Sequence, residues 1–146
     1  MKKTALAPVL AAGAAVCLLV VPTASAANSL HVRISTKVPS PGDVVHVKAT
    51  NAHPGESYAC VLSIGHRNIG SGATSLADVN SAVIKTANDS GVVRCGLTFE
   101  RFTGTYKDKT HYCPPSRKDK AHNWYCGAAV ANLSNYDEHG IGKFDF

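Results

Sequence analysis

Apolar and polar residues alternate along most of the chain that follows residue 29. Leu30, Val32 and Ile34 alternate with polar neighbours, and the same period of two recurs in six later segments. This period predicts β-strands with one buried face, and no stripe of helical period accompanies it. The predicted strands cover residues 30–35, 44–49, 58–64, 82–86, 93–99, 124–130 and 142–146.

Turn-forming residues separate these segments. Clusters of Gly, Pro, Asn and Asp predict turns at 39–42, 51–55 and 88–91. We expect a long loop at 65–80, with or without a short edge strand, and a polar, basic loop at 107–120. About seven short strands at this spacing predict an all-β fold, an immunoglobulin-like β-sandwich.

The first 26 residues have the pattern of an export signal. Lys2 and Lys3 precede an apolar run, and Ala24-Ser25-Ala26 is typical of a cleavage site. The run at 11–21 is shorter than the roughly 20 apolar residues that span a bilayer, so we expect no membrane anchor. The sequence therefore predicts a cleaved signal peptide at 1–26 and one secreted, extracellular domain at 27–146.

The cysteines that follow the signal peptide predict a disulfide-stapled domain. Cys60, Cys95, Cys113 and Cys126 are an even number in an exported chain, which is typical of two disulfides. Four cysteines allow three connectivities, and their number alone does not choose among them. Cys60 and Cys95 lie on the apolar faces of predicted strands, whereas Cys113 and Cys126 bracket one polar loop. The strand pattern therefore favours the pairs Cys60–Cys95 and Cys113–Cys126.

The charge of the chain is only mildly basic. A net charge of +5 becomes +3 once Lys2 and Lys3 leave with the signal peptide, and so small a charge does not by itself indicate a nucleic-acid binder. The basic segment 117–120, with Lys107 and Lys109 nearby, is interpreted either as a solvated loop or as a contact for phosphates or an anionic cell wall.

We predict no catalytic residues and no metal site. Hydrolysis would need a nucleophile beside a base or a pair of carboxylates. The nearest candidate, Asp137-Glu138-His139, is interpreted as a turn, because these three polar residues precede Gly140. The seven histidines do not pair at a spacing typical of metal ligands, and oxidised cysteines would not bind a metal. The alternation predicts that His31 and His46 face solvent.

Several segments, taken in order, resemble the neocarzinostatin family of secreted apoproteins that carry enediyne chromophores. Residues 42–48 look like the second strand of the family, residues 54–58 like its next turn, and residues 86–91 with Leu97 and Thr98 like its middle turn and strand. The match continues through Phe102-Thr103-Gly104, Cys113 with Cys126, Val130, Leu133-Ser134, Gly142, Phe144 and Phe146.

The resemblance implies an immunoglobulin-like barrel with a cleft at one end that holds an aromatic ligand without covalent bonds. In the family two disulfides flank this cleft, and one of them resembles the pair Cys113 and Cys126. The other would need two cysteines after Tyr58, where this chain has only Cys60. Family apoproteins are also typically acidic, whereas this chain is basic.

A ligand cleft needs apolar and aromatic side chains with a few polar groups that orient the guest. Trp124 is interpreted either as such a contact or as a Trp of the sandwich core, and Ser134 either as a cleft residue or as a turn residue. The predicted ligand-binding residues are Leu62, Phe102, Tyr106, Trp124, Asn132 and Ser134.

We therefore expect a secreted, non-enzymatic, monomeric protein that holds a small aromatic or apolar molecule. No cofactor is expected other than such a non-covalent chromophore. The resemblance implies an antibacterial, DNA-damaging system in which the protein reaches DNA only indirectly, through its ligand.

The alternative is an extracellular adhesion or partner-binding module of immunoglobulin-like fold without a small-molecule ligand, because a fold does not fix a function. A cleft lined by Leu62, Phe102 and Tyr106 would favour the carrier. A flat polar face above a filled core would favour the partner-binding module.

Overall fold

The computed structural model describes residues 29–66 and 76–146. The predicted signal peptide and residues 67–75 lie outside the described residues. The described chain is built mainly of strands, with one short α-helix and one 3₁₀ turn. The elements are β1 (His31–Ile34), β2 (Val44–Thr50), β3 (Ser57–His66), β4 (Leu76–Ala77), a 3₁₀ turn (Val79–Ser81), β5 (Val83–Thr86), β6 (Val93–Thr98), β7 (Phe102–Tyr106), β8 (Lys109–Cys113), α1 (Arg117–Ala121), β9 (Trp124–Asn132) and β10 (His139–Lys143).

The strands form two antiparallel sheets and a separate two-stranded ribbon. Sheet A has the order β1-β2-β6. Sheet B has the order β10-β9-β3-β4, and β5 also pairs with β3. The third unit is the β7–β8 ribbon, which packs on β4 at Gly104, where an added Cβ would come within 2.7 Å of Leu76. The predicted all-β sandwich is confirmed.

The core lies between sheets A and B and follows the alternation in the sequence. Alternate residues of β3 point inward, and Tyr58, Leu62 and Ile64 have no exposed surface. Leu97 of β6 faces them from sheet A with 1 % of its surface exposed. Burial of each large apolar side chain stabilises the fold by about 1.5–3 kcal/mol, so the inward faces of β3 and β6 are a main source of stability.

Each disulfide joins two different units of the fold. Cys60 of β3 is bonded to Cys95 of β6, which links sheet B to sheet A. Cys113 of β8 is bonded to Cys126 of β9, which ties the β7–β8 ribbon to sheet B. The predicted pairing is confirmed.

The prediction of a loop at 107–120 is wrong in two places. Residues 109–113 form β8, which pairs with β7 through a two-residue turn. Lys107 and Asp108 occupy that turn with φ values of 47° and 60°, the left-handed conformation that tight hairpins require and that Asn-Gly usually signals. Residues 117–121 form α1. The last strand is also shifted, because β10 ends at Lys143 rather than at Phe146.

Ser116 begins α1 with a reciprocal capping box. Its Oγ accepts a hydrogen bond from the Asp119 backbone N–H at 3.1 Å, and the Asp119 carboxylate accepts one from the Ser116 backbone N–H at 3.2 Å. A Ser or Thr followed three residues later by an acid is a known start signal for helices. This start signal is present in the sequence, but the charged residues around it have a composition that is typical of loops.

Candidate functional site

An aromatic cluster forms where the β7–β8 ribbon meets the start of β9. We use this name for Phe102, Tyr106, His111 and Trp124. The Trp124 indole stacks on the His111 ring with centroids 3.6 Å apart and planes 21° from parallel. The Tyr106 ring lies 5.8 Å from the indole, and His66 of the neighbouring β3 approaches it edge-on at 5.0 Å. Trp124 is 8 % exposed, so most of its surface is already covered by the protein.

The helix α1 fixes the orientation of His111. Asp119 Oδ1 lies 2.7 Å from His111 Nδ1, and both residues are buried. Burial raises the pKa of the Asp119 carboxyl, but hydrogen bonds from Ser116 and His111 outweigh that effect and hold the pKa below its usual value. The ionised carboxylate therefore holds the imidazole flat against Trp124.

The outer part of the aromatic cluster is formed by β7. Phe102 and Tyr106 are half-buried, and Phe102 is paired in register with Cys113, whose disulfide anchors the ribbon. The Lys107 ammonium lies 5.4 Å from the centre of the Tyr106 ring. Partly exposed rings on an anchored ribbon offer flat apolar surface on which a planar ligand can stack.

Half of the predicted ligand-binding residues do not join this cluster. Leu62 lies in the middle of β3, opposite Ala128, with no exposed surface. Asn132 ends β9, about 26 Å along the strand from Trp124 at about 3.3 Å per residue, and Ser134 is exposed just beyond it. The structure thus brings together Tyr106 and Trp124 and places Phe102 at the other end of the same strand, β7. A ligand contact at any of the six residues stays a prediction.

Asn132 instead belongs to a buried polar network at the opposite end of sheet B. Glu138 is 1 % exposed. Its carboxylate accepts hydrogen bonds from the Tyr58 hydroxyl at 2.7 Å and from Asn132 Nδ2 at 2.8 Å, and it lies 2.8 Å from His53 Nδ1. Asn132 Nδ2 also donates to Glu56. The network holds the turn after β2 to the turn before β10.

The network shifts the titration of its members. Burial raises the pKa of Glu138, but hydrogen bonds from Tyr58, Asn132 and His53 reverse this and leave the pKa below its usual value. Burial and the bond to Glu138 raise the pKa of Tyr58 to about 12. The same carboxylate raises the pKa of His53 by accepting its hydrogen bond. Glu138 is therefore held ionised, with a proton favoured on His53.

The network also contains three groups of a type that binds metal ions. His53, Glu56 and Glu138 each bring one candidate ligand atom within 4.8 Å of the others. Asn132 donates to both carboxylates and so fills the position between them that a cation would take. Its orientation is fixed, because its Oδ1 accepts from the backbone N–H of Ser134 at 2.8 Å. The polar side chains at this end of sheet B are therefore hydrogen-bonded to one another.

Sequence reasoning missed this network because Glu138 was interpreted as part of a turn. Tyr136 and Asp137 do lie in a turn, but the following residue points into the core. Tyr58, the hydroxyl partner, is 80 residues away. No local spacing signals a contact over that distance.

Comparison of the chain with known proteins gives a likeness of structure. The sequence matches no protein-family model and no curated protein. The structure resembles macromomycin with a TM-score of 0.55 and 20 % identity, over 81 % of this chain and 99 % of macromomycin. It resembles apokedarcidin with a TM-score of 0.52 and 16 % identity, over 81 % of this chain and 98 % of apokedarcidin.

The chain has the neocarzinostatin fold. The resemblance found in the sequence is thereby confirmed as a likeness of fold. None of the helices among the described residues is long and apolar enough to cross a bilayer.

Proposed function

We propose that this chain is a secreted, non-enzymatic carrier that binds a small aromatic or apolar molecule at the aromatic cluster. The observation that carries the proposal is the stacking of Trp124 on His111 beside the half-buried ring of Tyr106. Phe102 is half-buried on the same strand as Tyr106. Rings that are already held in place lose little freedom when a planar ligand adds to the stack. The cluster is therefore suited to non-covalent binding.

The fold supports the same function. Macromomycin and apokedarcidin are chromoprotein apoproteins, and this chain shares their fold across four-fifths of its length. The two disulfides are typical of an exported domain. In such a carrier the reactive chemistry belongs to the ligand, and the protein protects it.

The arrangement of the cluster indicates how the ligand would bind. One face of the Trp124 indole is covered by His111 at 3.6 Å. A planar guest would therefore contact Tyr106 and reach the edge of the indole. Asp119 holds the His111 ring by a hydrogen bond at 2.7 Å, so this pair supports the stack on Trp124.

A fluorescence titration tests the carrier with a neutral aromatic probe, N-phenyl-1-naphthylamine. Trp124 is the single Trp of the chain, so its quenching reports the aromatic cluster directly. We expect saturable quenching, and we expect Tyr106→Ala to weaken binding two- to tenfold, because one aromatic pair contributes about 0.5–1.5 kcal/mol.

Tyr136→Ala is the matched control. Tyr136 is 72 % exposed in the turn before β10, at the other end of sheet B, and its loss should leave the probe affinity unchanged. Quenching that does not saturate, or an equal loss of affinity in both variants, would contradict binding at the aromatic cluster.

A further inference from the structure

A groove on the outer face of sheet A gathers four cationic side chains. It encloses about 550 Å³, and its cations come from four strands: Arg33 of β1, Lys48 of β2, Arg94 of β6 and Lys85 of β5. We call it the basic groove. No carboxylate is among its lining residues.

The strand register sets three of these cations in one row. Arg33 pairs with Lys48 across β1 and β2, and Lys48 pairs with Arg94 across β2 and β6. Like charges directly opposite each other on neighbouring strands destabilise a sheet. The row therefore costs the folded protein some stability unless an anion neutralises it.

The described part of the chain does not supply that anion. Its ion pairs with carboxylates are made by His53 and His111, and none of them involves a cation of the basic groove. Arg33 Nε donates to a neutral partner, His31 Nε2, at 3.3 Å. Four unpaired cations on a rigid sheet are a preorganised surface for an external anion.

The spacing of the cations selects the kind of anion. Neighbouring strands lie about 4.8 Å apart, so Arg33 and Arg94 lie about 10 Å apart across the row. The row, with Lys85 beside it, distributes positive charge over a length greater than one phosphate group. Such a row suits a ligand that carries several anionic groups along a chain, and the two arginines offer forked donors that fit phosphate oxygens.

The lining of the groove also indicates how such a chain would be recognised. Its residues include no Phe, Tyr or Trp on which bases could stack. At Gly96 an added Cβ would lie 3.3 Å from Val44 Cγ1 and 3.8 Å from His46 Nδ1. Contacts to phosphates without contacts to bases fix the position of a nucleic acid but do not read its sequence.

We propose that the basic groove binds the phosphodiester backbone of double-stranded DNA without regard to base sequence. This goes beyond the proposed function and differs from what the family resemblance implies, which is that the protein reaches DNA only through its ligand. The groove lies on a different face from the aromatic cluster, so the two sites are tested separately.

Fluorescence anisotropy with a labelled 20-base-pair duplex tests the proposal across a series of NaCl concentrations. Contact with three or four phosphates predicts that log K falls against log[salt] with a slope of about −3. The double variant Lys48→Gln/Arg94→Gln should weaken binding at low salt at least tenfold and reduce the slope by about two, one for each lost phosphate contact.

The matched control is Arg117→Gln/Lys118→Gln, which removes the same charge from exposed positions of α1. It should keep most of the affinity and the full slope. An equal loss in the control would show that only net charge matters and would overturn the proposal. So would the absence of duplex binding in 50 mM salt, or binding of a heparin fragment in its place.

Thermal melting checks that each variant is folded. The cations of the row repel one another, so the groove variant should melt no lower than the unchanged protein at low salt. If that variant fails to fold, the single change Arg33→Gln on the exposed edge strand β1 replaces it, and its slope should fall by about one. Unchanged duplex affinity in a folded groove variant would overturn the proposal, and the probe titration at the aromatic cluster would be unaffected.

Discussion

Glu138 remains ionised inside the protein because several donors converge on its carboxylate. A buried charge is costly unless it is paired and hydrogen-bonded. Here Tyr58 and Asn132 donate to it at 2.7 and 2.8 Å, and His53 completes the set. The same contacts lower the pKa of Glu138 and raise that of His53, so this end of the sandwich has a stability that depends on pH.

The sign of each contribution follows from the direction of its pKa shift. The lowered pKa of Glu138 stabilises the fold above its unfolded value of 4.5, and this is lost as the pH falls through the folded pKa. The raised pKa of His53 stabilises the fold below its unfolded value of 6.5, and this is lost as the pH rises through the folded pKa. For this pair, the free energy of unfolding is greatest between those two values.

Glu138→Gln should remove both dependences. It replaces a paired carboxylate by a neutral amide, and we expect the free energy of unfolding near pH 5.5 to fall by about 1–3 kcal/mol. Urea unfolding at several pH values measures this. Glu100→Gln, at an exposed position after β6, is the control and should keep the pH profile. An unchanged profile in the Glu138 variant would show that the network does not set the pH dependence.

At the scale of elements, the Cys113–Cys126 disulfide connects the β7–β8 ribbon to the body of the sandwich. It closes a segment with a sequence separation of 13 residues. Closing a loop of about 15 residues restricts the unfolded chain by about 3 kcal/mol. The ribbon carries Phe102 and Tyr106, so the same bond holds the aromatic cluster in position.

Cys113→Ser/Cys126→Ser should therefore lower the free energy of unfolding by about 3 kcal/mol. It should also speed hydrogen exchange at the backbone amides of β7 and β8 more than at those of β2 and β6. Urea unfolding and amide exchange by mass spectrometry measure the two effects. An equal increase of exchange in the β7–β8 ribbon and in β2 and β6 of sheet A would contradict a role for this bond in anchoring the ribbon.

The alternation in the sequence predicted the strands that build the core. Cys60 and Cys95 occupy inward positions of such strands, and this is why their pairing could be predicted. The β7–β8 hairpin was missed because Lys107 and Asp108 turn left-handed without the usual Asn-Gly signal. The α1 helix was missed because it is short and polar. It is stabilised by the buried Asp119, whose side chain completes the capping box with Ser116.

The candidate site could be predicted only in part for the same reason. Tyr106 and Trp124 were singled out from the sequence, and they lie 5.8 Å apart. The stacking of His111 on Trp124 depends on Asp119, which belongs to the helix that sequence reasoning missed. Trp124 and Asn132 lie at opposite ends of the nine-residue strand β9. They cannot share a site, because the strand is longer than a ligand site is wide.

Across the whole molecule, three features occupy three separate regions. The aromatic cluster lies at the ribbon end, the polar network with Glu138 lies at the other end of sheet B, and the basic groove lies on the outer face of sheet A. One core between sheets A and B supports all three. Binding at the cluster, as proposed, is therefore expected to leave the network and the groove unchanged.

Native mass spectrometry of the protein purified from the culture medium of its own host, together with an absorbance spectrum, tests the carrier most directly. The account predicts a mass above that of the polypeptide alone and an absorption band beyond that of the aromatic residues, with both lost on solvent extraction. A measured mass equal to that of the polypeptide alone, with no absorption beyond that of its own Tyr and Trp residues, would contradict the account.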